Sequence, residues 1–164
     1  MRTKNVQEKL DLEDVFAIPP RFVKRDDQYL QYGDVLISSA NSWNLVGKCS
    51  WVGDLPWKST FGGFVTVMRT SSVDLEESFL YSWFSSRRIQ EILRSFGNRT
   101  TSISNLDLNR CRRMNIPLPP IEMQREFTRA SRSVFECSRS LEDASESLTC
   151  LFSSLQQKAF QGAL

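Results

Sequence analysis

Few side chains in this 164-residue sequence could carry out covalent chemistry, and their spacing fits no common catalytic motif. There is no histidine, which excludes Ser-His-Asp and Cys-His catalysis and any zinc site with a histidine ligand. A Ser-x-x-Lys pair, a glycine-rich phosphate loop and a nuclease-like Glu-x-Lys pair are also missing from the sequence. The residue types therefore predict a protein that is not an enzyme and needs no cofactor of its own.

The cysteines indicate a reducing compartment. Cys49, Cys111, Cys137 and Cys150 are widely separated and form no Cys-x-x-Cys motif. No basic segment followed by an apolar segment opens the sequence, and apolar runs such as FLYSWF are far shorter than the roughly 20 residues that span a bilayer. We therefore expect reduced thiols in a cytoplasmic protein without a membrane partner.

The charge is modest and unevenly distributed. The net charge is +2, with 16 Lys+Arg against 13 Asp+Glu in residues 1–120 (+3) and 5 against 6 in residues 121–164 (−1). Any surface for nucleic acid would therefore be a local patch on the first part of the chain. An ordinary solvated surface explains the charge equally well.

Up to residue 116 the pattern alternates between strand-like and helix-like segments, which predicts an α+β domain. The β-rich runs DVLISS (34–39), LVGKCSWV (45–52) and FVTVMRT (64–70) predict strands. Apolar residues on one face predict a helix over 75–96, with Asp74 and Glu77 as a capping box and Gly97 at its end. Ser104 and Asp107 suggest a cap for a shorter helix that ends near Cys111.

The last forty residues have a different periodicity. Small or apolar residues alternate at spacings of three and four, which is the seam of a coiled coil over four heptads. The alternative, an amphipathic helix lying on its own domain, fits less well because the stripe is narrow and flanked by polar residues. The seam positions are Phe127, Ala130, Val134, Cys137, Leu141, Ala144, Leu148, Leu151 and Leu155.

A proline-rich joint separates the two parts. Pro117 and Pro119 predict an extended segment, because residues that precede proline avoid the α region. Pro120 suits the first turn of a helix, and Glu122 suits its positive N-terminal field. The sequence thus predicts a domain over 1–116, followed by the joint and a long coiled-coil spacer or dimerisation helix over 117–164.

The joint and the end of the helix resemble the specificity subunit of type I restriction–modification systems. The family pattern is an apolar-Pro-x-Pro-Pro lead, a Glu-x-Gln pair, and a closing Leu-Phe, Ser-Leu and Ala-Phe-x-Gly. Upstream, YGDVLISSANSWNLVGK and the segment from SFLYSWF to MNIPLPP resemble the later half of a target-recognition domain of that family. The matching residues are Pro117, Pro119, Pro120, Glu122, Gln124, Leu151, Phe152, Ser154, Leu155, Ala159, Phe160, Gly162 and Leu164.

The resemblance implies a bacterial or archaeal subunit that recognises one half of a bipartite site in double-stranded DNA. It further implies docking to a modification (methyltransferase) subunit and, through it, to a restriction subunit; S-adenosylmethionine, ATP and magnesium would belong to those partners. Family members typically carry two recognition domains and two helices that pair antiparallel, whereas this sequence has one of each. We therefore expect an antiparallel homodimer that imitates a whole subunit.

Candidate DNA contacts follow from the side chains that can read base edges or phosphates from loops. A solvated loop is the alternative for each of them, and Trp83, Phe84 and Phe96 are expected in the core instead of in a base-stacking platform. The candidates are Arg2, Lys4, Asn5, Ser38, Asn41, Ser42, Lys48, Lys58, Asn98, Arg99, Thr100 and Thr101.

Two other functions remain open from the sequence. The first is a truncated coiled-coil scaffold that binds only protein. The second is a stand-alone DNA-binding protein that resembles a transcription factor. A DNA-binding assay separates the three functions. The stand-alone protein would bind DNA by itself, the specificity subunit would bind it only with a modification subunit, and the scaffold would not bind it at all.

Overall fold

Two small antiparallel sheets and four α-helices are present in the residues that the computed structural model describes, 1–99 and 103–162. The first sheet has the order β3-β1-β4, with β1 (Val35–Ser38) at its centre. β3 (Cys49–Trp51) and β4 (Val65–Met68) pair with it on either side. These strands lie in the three β-rich runs, and the α+β class predicted from the sequence is confirmed.

The central strand β1 is covered on both faces. Val35 and Ile37 point to one side and belong to a core with residues of the helices, whereas Leu36 points to the other side and packs with Val6 and Val52. All four residues of β1 are buried. Coverage on both faces explains why the sequence of this strand is a continuous apolar run instead of an alternating one.

A buried ion pair holds the entrance to β1. The Asp34 side chain is fully buried and accepts hydrogen bonds from Arg69 Nε at 2.6 Å and Arg69 Nη2 at 2.7 Å. Asp34 also accepts from the Gln31 backbone N–H at 2.8 Å, and Arg69 Nη2 reaches the Tyr29 carbonyl at 2.9 Å. The hydrogen bond to Asp34 raises the pKa of Arg69. Gly33, with φ of +89°, provides the left-handed turn that leads into this site.

The helix predicted over 75–96 is two helices, α1 (Glu77–Ser85) and α2 (Arg87–Ser95). Ser86 separates them with an extended ψ of 144°, and its hydroxyl donates to the Trp83 carbonyl at 2.6 Å. The predicted capping box was wrong, because the cap is Glu76, whose carboxylate accepts from the Phe79 N–H at 2.7 Å. Trp83, Phe84 and Phe96 do belong to the core, as predicted.

The second sheet was not predicted. Its strands are β2 (Ala40–Asn41), β5 (Gly97–Arg99) and β6 (Ser104–Leu106), in the order β2-β6-β5. Gly97 directly follows Phe96, the C-cap of α2, as predicted, and it also begins β5. Ser104 lies in a strand and does not cap a helix. Asp107 caps the short helix α3 (Leu108–Arg112) by accepting from the N–H groups of the two residues that follow Leu108.

The long helix α4 (Ile121–Phe160) is continuous over 40 residues, as the seam predicted. Helix geometry makes this about 60 Å of helix, at about 1.5 Å per residue. Pro120 precedes the helix, and its carbonyl accepts from the Met123 N–H at 3.0 Å. The chain divides into two compact units, Met1–Gln124 and Arg125–Leu164, so the joint and the first helical turn belong to the first unit instead of starting the second.

Gln124 anchors that first turn. Its side chain is fully buried, and its Oε1 accepts from the Glu76 backbone N–H at 3.0 Å. Its Nε2 donates to the carbonyls of Asp74 and Pro119, each at 2.8 Å. A buried polar side chain with three backbone partners fixes the segment before α1 to the start of α4.

Replacing Asp34 by Asn should destabilise the first unit by about 3 kcal/mol, because the substitution removes one partner of a buried ion pair. We expect the low end of the usual cost, since the Arg69 side chain is 31% exposed and can regain water. Urea unfolding followed by tryptophan fluorescence measures this, because all four tryptophans lie in residues 1–124. Glu91→Gln, which breaks the exposed pair with Arg87, should cost less than about 0.5 kcal/mol. Equal costs for the two variants would contradict the prediction.

Gln124→Leu should also destabilise the first unit, by about 3 kcal/mol, since it leaves the Glu76 N–H and the Asp74 and Pro119 carbonyls without this partner. The same urea titration applies. Gln157→Leu, at an exposed position of α4 away from the seam, is the matched control and should change the midpoint little. A midpoint for Gln124→Leu within error of the Gln157→Leu value would refute the anchoring role.

Candidate nucleic-acid interface

The second sheet brings together candidates from two distant loops. In its register Asn41 lies opposite Ser104, which in turn lies opposite Arg99. The neighbouring row places Asn105 between Ala40 and Asn98. Three predicted DNA contacts, Asn41, Asn98 and Arg99, therefore occupy strand positions of one three-stranded sheet.

One face of this sheet is on the core and the other is in solvent. Ser104 and Leu106 of β6 are buried, and Leu106 packs in the core with the helices, whereas Asn105 between them is exposed. The alternation is that of a half-buried strand. Asn105 is a candidate that sequence reasoning missed, because the segment was interpreted as a helix cap. Its Ile-Ser-Asn-Leu sequence does not alternate between apolar and polar residues and gave no signal of a strand.

Asn41 and Ser42 form a local hydrogen-bonded turn beside the sheet. Asn41 Nδ2 donates to Ser38 Oγ at 3.0 Å, and its Oδ1 accepts from the Ser42 N–H at 2.8 Å. The Ser42 hydroxyl donates to Asn44 Oδ1 at 2.8 Å. Both side chains are half-buried, so they are held in place while part of each remains accessible.

The segment that contains β5, β6 and α3 is rich in arginine. Residues 94–113 contain five arginines and one aspartate, a local charge of +4. Arg110 is exposed, and its guanidinium carbon lies 4.0 Å from the centroid of the Phe96 ring, next to the start of β5. Stacking on an aromatic ring leaves guanidinium N–H groups available for phosphate. We call Asn105, the strand position of Asn98 in the same row, and the nearby Arg110 the polar sheet surface; Asn41 and Arg99 lie in the row of buried Ser104.

Other candidates have structural partners. Asn5 is fully buried; it accepts from the Arg2 N–H at 2.8 Å and donates to the carbonyls of Asp11 and Asp14. Ser38 is also fully buried. Asp14 pairs with both Arg2 and Lys4. These side chains hold the N-terminal segment and the end of β1, and the two buried ones do not reach solvent.

The remaining candidates are dispersed. Lys48 donates to Gln7 Oε1 and lines a cavity of about 440 Å³ with Arg94. Lys58 lies over the Tyr29 ring, with Nζ 3.6 Å from its centroid. Thr100 and Thr101 fall outside the described residues. The structure therefore brings together one subset of the candidates, at the second sheet.

The cysteines differ in environment. Burial raises the pKa of Cys49 to about 12 and that of Cys111 to about 11. Since the thiolate is the nucleophile, neither of these thiols is activated near neutral pH. Cys137 and Cys150 are exposed on α4.

All nine seam positions of α4 are exposed in the single chain. The larger side chains show it most clearly, with 70% exposure at Val134, 67% at Leu141 and Leu148, and 58% at Leu151. Exposure of an apolar stripe of this length to water is unfavourable.

Comparison with protein-family models and with curated proteins finds no match for this chain. Within residues 1–99 and 103–162, no cluster of three or more Cys, Asp or Glu side chains has an arrangement that could hold a metal ion. None of the helices in the same described ranges combines the length and apolar character needed to cross a membrane.

Proposed function

We propose that the protein is a DNA sequence-recognition (specificity) subunit of a type I restriction–modification system. It binds one half of a bipartite target and docks a modification subunit, and performs no catalysis itself. The observation that carries the proposal is the exposed four-heptad seam of α4, which follows a proline joint and an α+β unit with a polar sheet surface. The resemblance of the joint and the tail to that family supports the same assignment.

The exposed seam of α4 would form the antiparallel helix pair that serves as the spacer in the proposed subunit. A second copy of the chain that pairs antiparallel through its own seam would bury the large residues of both helices. Leu148, Leu151 and Leu155 contribute most of the apolar area, each about 1.5–3 kcal/mol when fully buried. Small residues at Ala130, Cys137 and Ala144 allow the helices to approach closely. Such a dimer is isologous and provides two recognition units, as a whole specificity subunit does.

The polar sheet surface accounts for DNA contact. An asparagine side chain such as that of Asn105 can pair with an adenine edge, and an arginine such as Arg110 can bind phosphate or guanine. The local charge of +4 over residues 94–113 supports a basic patch on the first unit, where the overall charge balance led us to expect one. Arg2, Lys4, Lys48 and Lys58 lie outside this surface.

A mobility-shift experiment distinguishes this function from the alternatives. Random duplex DNA is titrated with the full chain at stated salt, with and without the cognate modification subunit. Binding that requires the modification subunit supports the proposal. Binding in neither case supports a protein-only scaffold, to which the exposed seam is equally suited. Tight specific binding by the chain alone supports a stand-alone DNA-binding protein.

In the complex with the modification subunit, Arg110→Ala should reduce the slope of log affinity against log salt by about 1, because one phosphate contact is lost. Arg110→Lys keeps the charge and should restore most of the slope. Arg139→Ala removes an exposed arginine of α4 and should leave the slope unchanged. If Arg110→Ala and Arg139→Ala have equal slopes, Arg110 is not at the interface.

Leu148→Asp should prevent dimerisation, because a charge replaces a large apolar residue in the seam. Light scattering coupled to size exclusion at tens of micromolar should give a dimer for the parent chain and a monomer for the variant. Ser153→Asp introduces the same charge on the opposite face of α4 and should remain dimeric. A monomeric parent chain, or a Leu148→Asp variant that elutes as a dimer, would rule out the seam as the dimer contact.

A further inference from the structure

A second possible binding site lies in the first unit, apart from the polar sheet surface. It is a cleft of about 590 Å³, within the range of about 300–1,000 Å³ that small-ligand sites occupy. Four aromatic residues line it, Phe16, Tyr29, Trp57 and Phe61. Phe16 is 68% exposed and Trp57 is 49% exposed, so ring faces or edges are open to a ligand. We call this site the aromatic cleft.

Two cations from distant parts of the chain also line the cleft. Lys58 Nζ lies 3.6 Å from the centroid of the Tyr29 ring, and the Arg2 guanidinium carbon lies 3.7 Å from that of Phe16. The described residues that line the cleft include no Asp or Glu. Asp14 pairs with Arg2 from outside the lining, but Arg2 Nε is buried without a hydrogen-bond acceptor in the described part of the chain.

We propose that the aromatic cleft binds an unpaired nucleotide of DNA, with its base against the rings and its phosphate at Lys58 and Arg2. Every base has a π face, so stacking on aromatic rings requires no particular sequence, and it is a strong contribution in proteins that bind single strands. The two cations and the absence of carboxylates in the lining select an anionic ligand over a neutral apolar one. The inference rests on the proposed function in that the ligand is DNA.

The consequence is a preference for DNA in which a base is already unpaired. Extracting a base from a duplex costs a few kcal/mol, and the cost is smallest where the base is already unstacked. The cleft would therefore add little to the binding of a perfect duplex. It would strengthen binding at a bulge or a locally opened strand near the site that the polar sheet surface contacts.

The first experiment titrates the full chain with tetrathymidylate and follows tryptophan fluorescence. We expect saturable quenching in the parent chain and at least a tenfold loss of affinity in Trp57→Ala and in Lys58→Ala. Phe64→Ala removes another exposed aromatic residue that does not line the cleft, and should behave as the parent. Near-ultraviolet circular dichroism checks that each variant is folded. If Trp57→Ala is not folded, the affinity of Lys58→Ala decides the outcome.

The second experiment compares three duplexes by anisotropy, namely a perfect duplex, one with a single bulged thymidine, and one with an abasic bulge. The bulged thymidine should bind about tenfold more tightly than the other two, and Trp57→Ala should abolish the difference. Equal affinity for thymidine and abasic bulges would overturn the proposal, because bending alone would then explain the preference.

The two proposals fail separately. If the parent chain binds duplex DNA but shows no preference for the bulged thymidine, only the nucleotide site is contradicted. Tetrathymidylate binding without duplex binding under any condition contradicts the specificity-subunit function and keeps the cleft. If tetrathymidylate does not bind and Trp57→Ala instead weakens association with the modification subunit, the occupant is a protein side chain, and the nucleotide proposal is wrong.

Discussion

The buried amide of Gln124 is the constraint on which the organisation of the chain depends. It joins three backbone segments, through the Asp74 carbonyl, the Glu76 N–H and the Pro119 carbonyl, so the segment before α1, the proline joint and the first turn of α4 are held together. Prolines restrict the joint but donate no hydrogen bond from their own nitrogen. The Gln124 side chain supplies a donor for the Pro119 carbonyl, and Gln124 is the last residue of the first compact unit.

Elements with a strong local signal could be predicted from the sequence, and those that depend on distant pairing could not. The nine-position seam and the absence of Gly or Pro predicted α4, a continuous apolar run predicted β1, and a β-rich run predicted β4. The second sheet has strands of two or three residues, too short for any periodicity, and its register joins residues 40 and 105. The break at Ser86 was missed because apolar spacing continues through it, while the extended conformation depends on one serine hydroxyl bonded to the Trp83 carbonyl.

The candidate DNA contacts show the same division. Residue type marked Asn41, Asn98 and Arg99 as polar, but only the register of the second sheet shows how they divide. The position of Asn98 shares a row with exposed Asn105, whereas the positions of Asn41 and Arg99 share the row of buried Ser104. Residue type could not distinguish these candidates from Asn5 and Ser38, which are equally polar but fully buried. Their hydrogen bonds satisfy loop backbone and neighbouring side chains, a role that depends on tertiary structure and leaves no pattern in the sequence.

The composition of α4 supports the proposed pairing of its seam. The helix contains eight serines, each less favourable than alanine by roughly 0.5 kcal/mol in a helix. The hydroxyls of Ser147, Thr149 and Ser153 donate to carbonyls four residues earlier, which slightly destabilises a helix. Surface ion pairs such as Arg132–Glu136 stabilise the helix by only a few tenths of a kcal/mol each. In the proposed dimer, burial of the seam would supply the packing from which most helical stability in proteins comes.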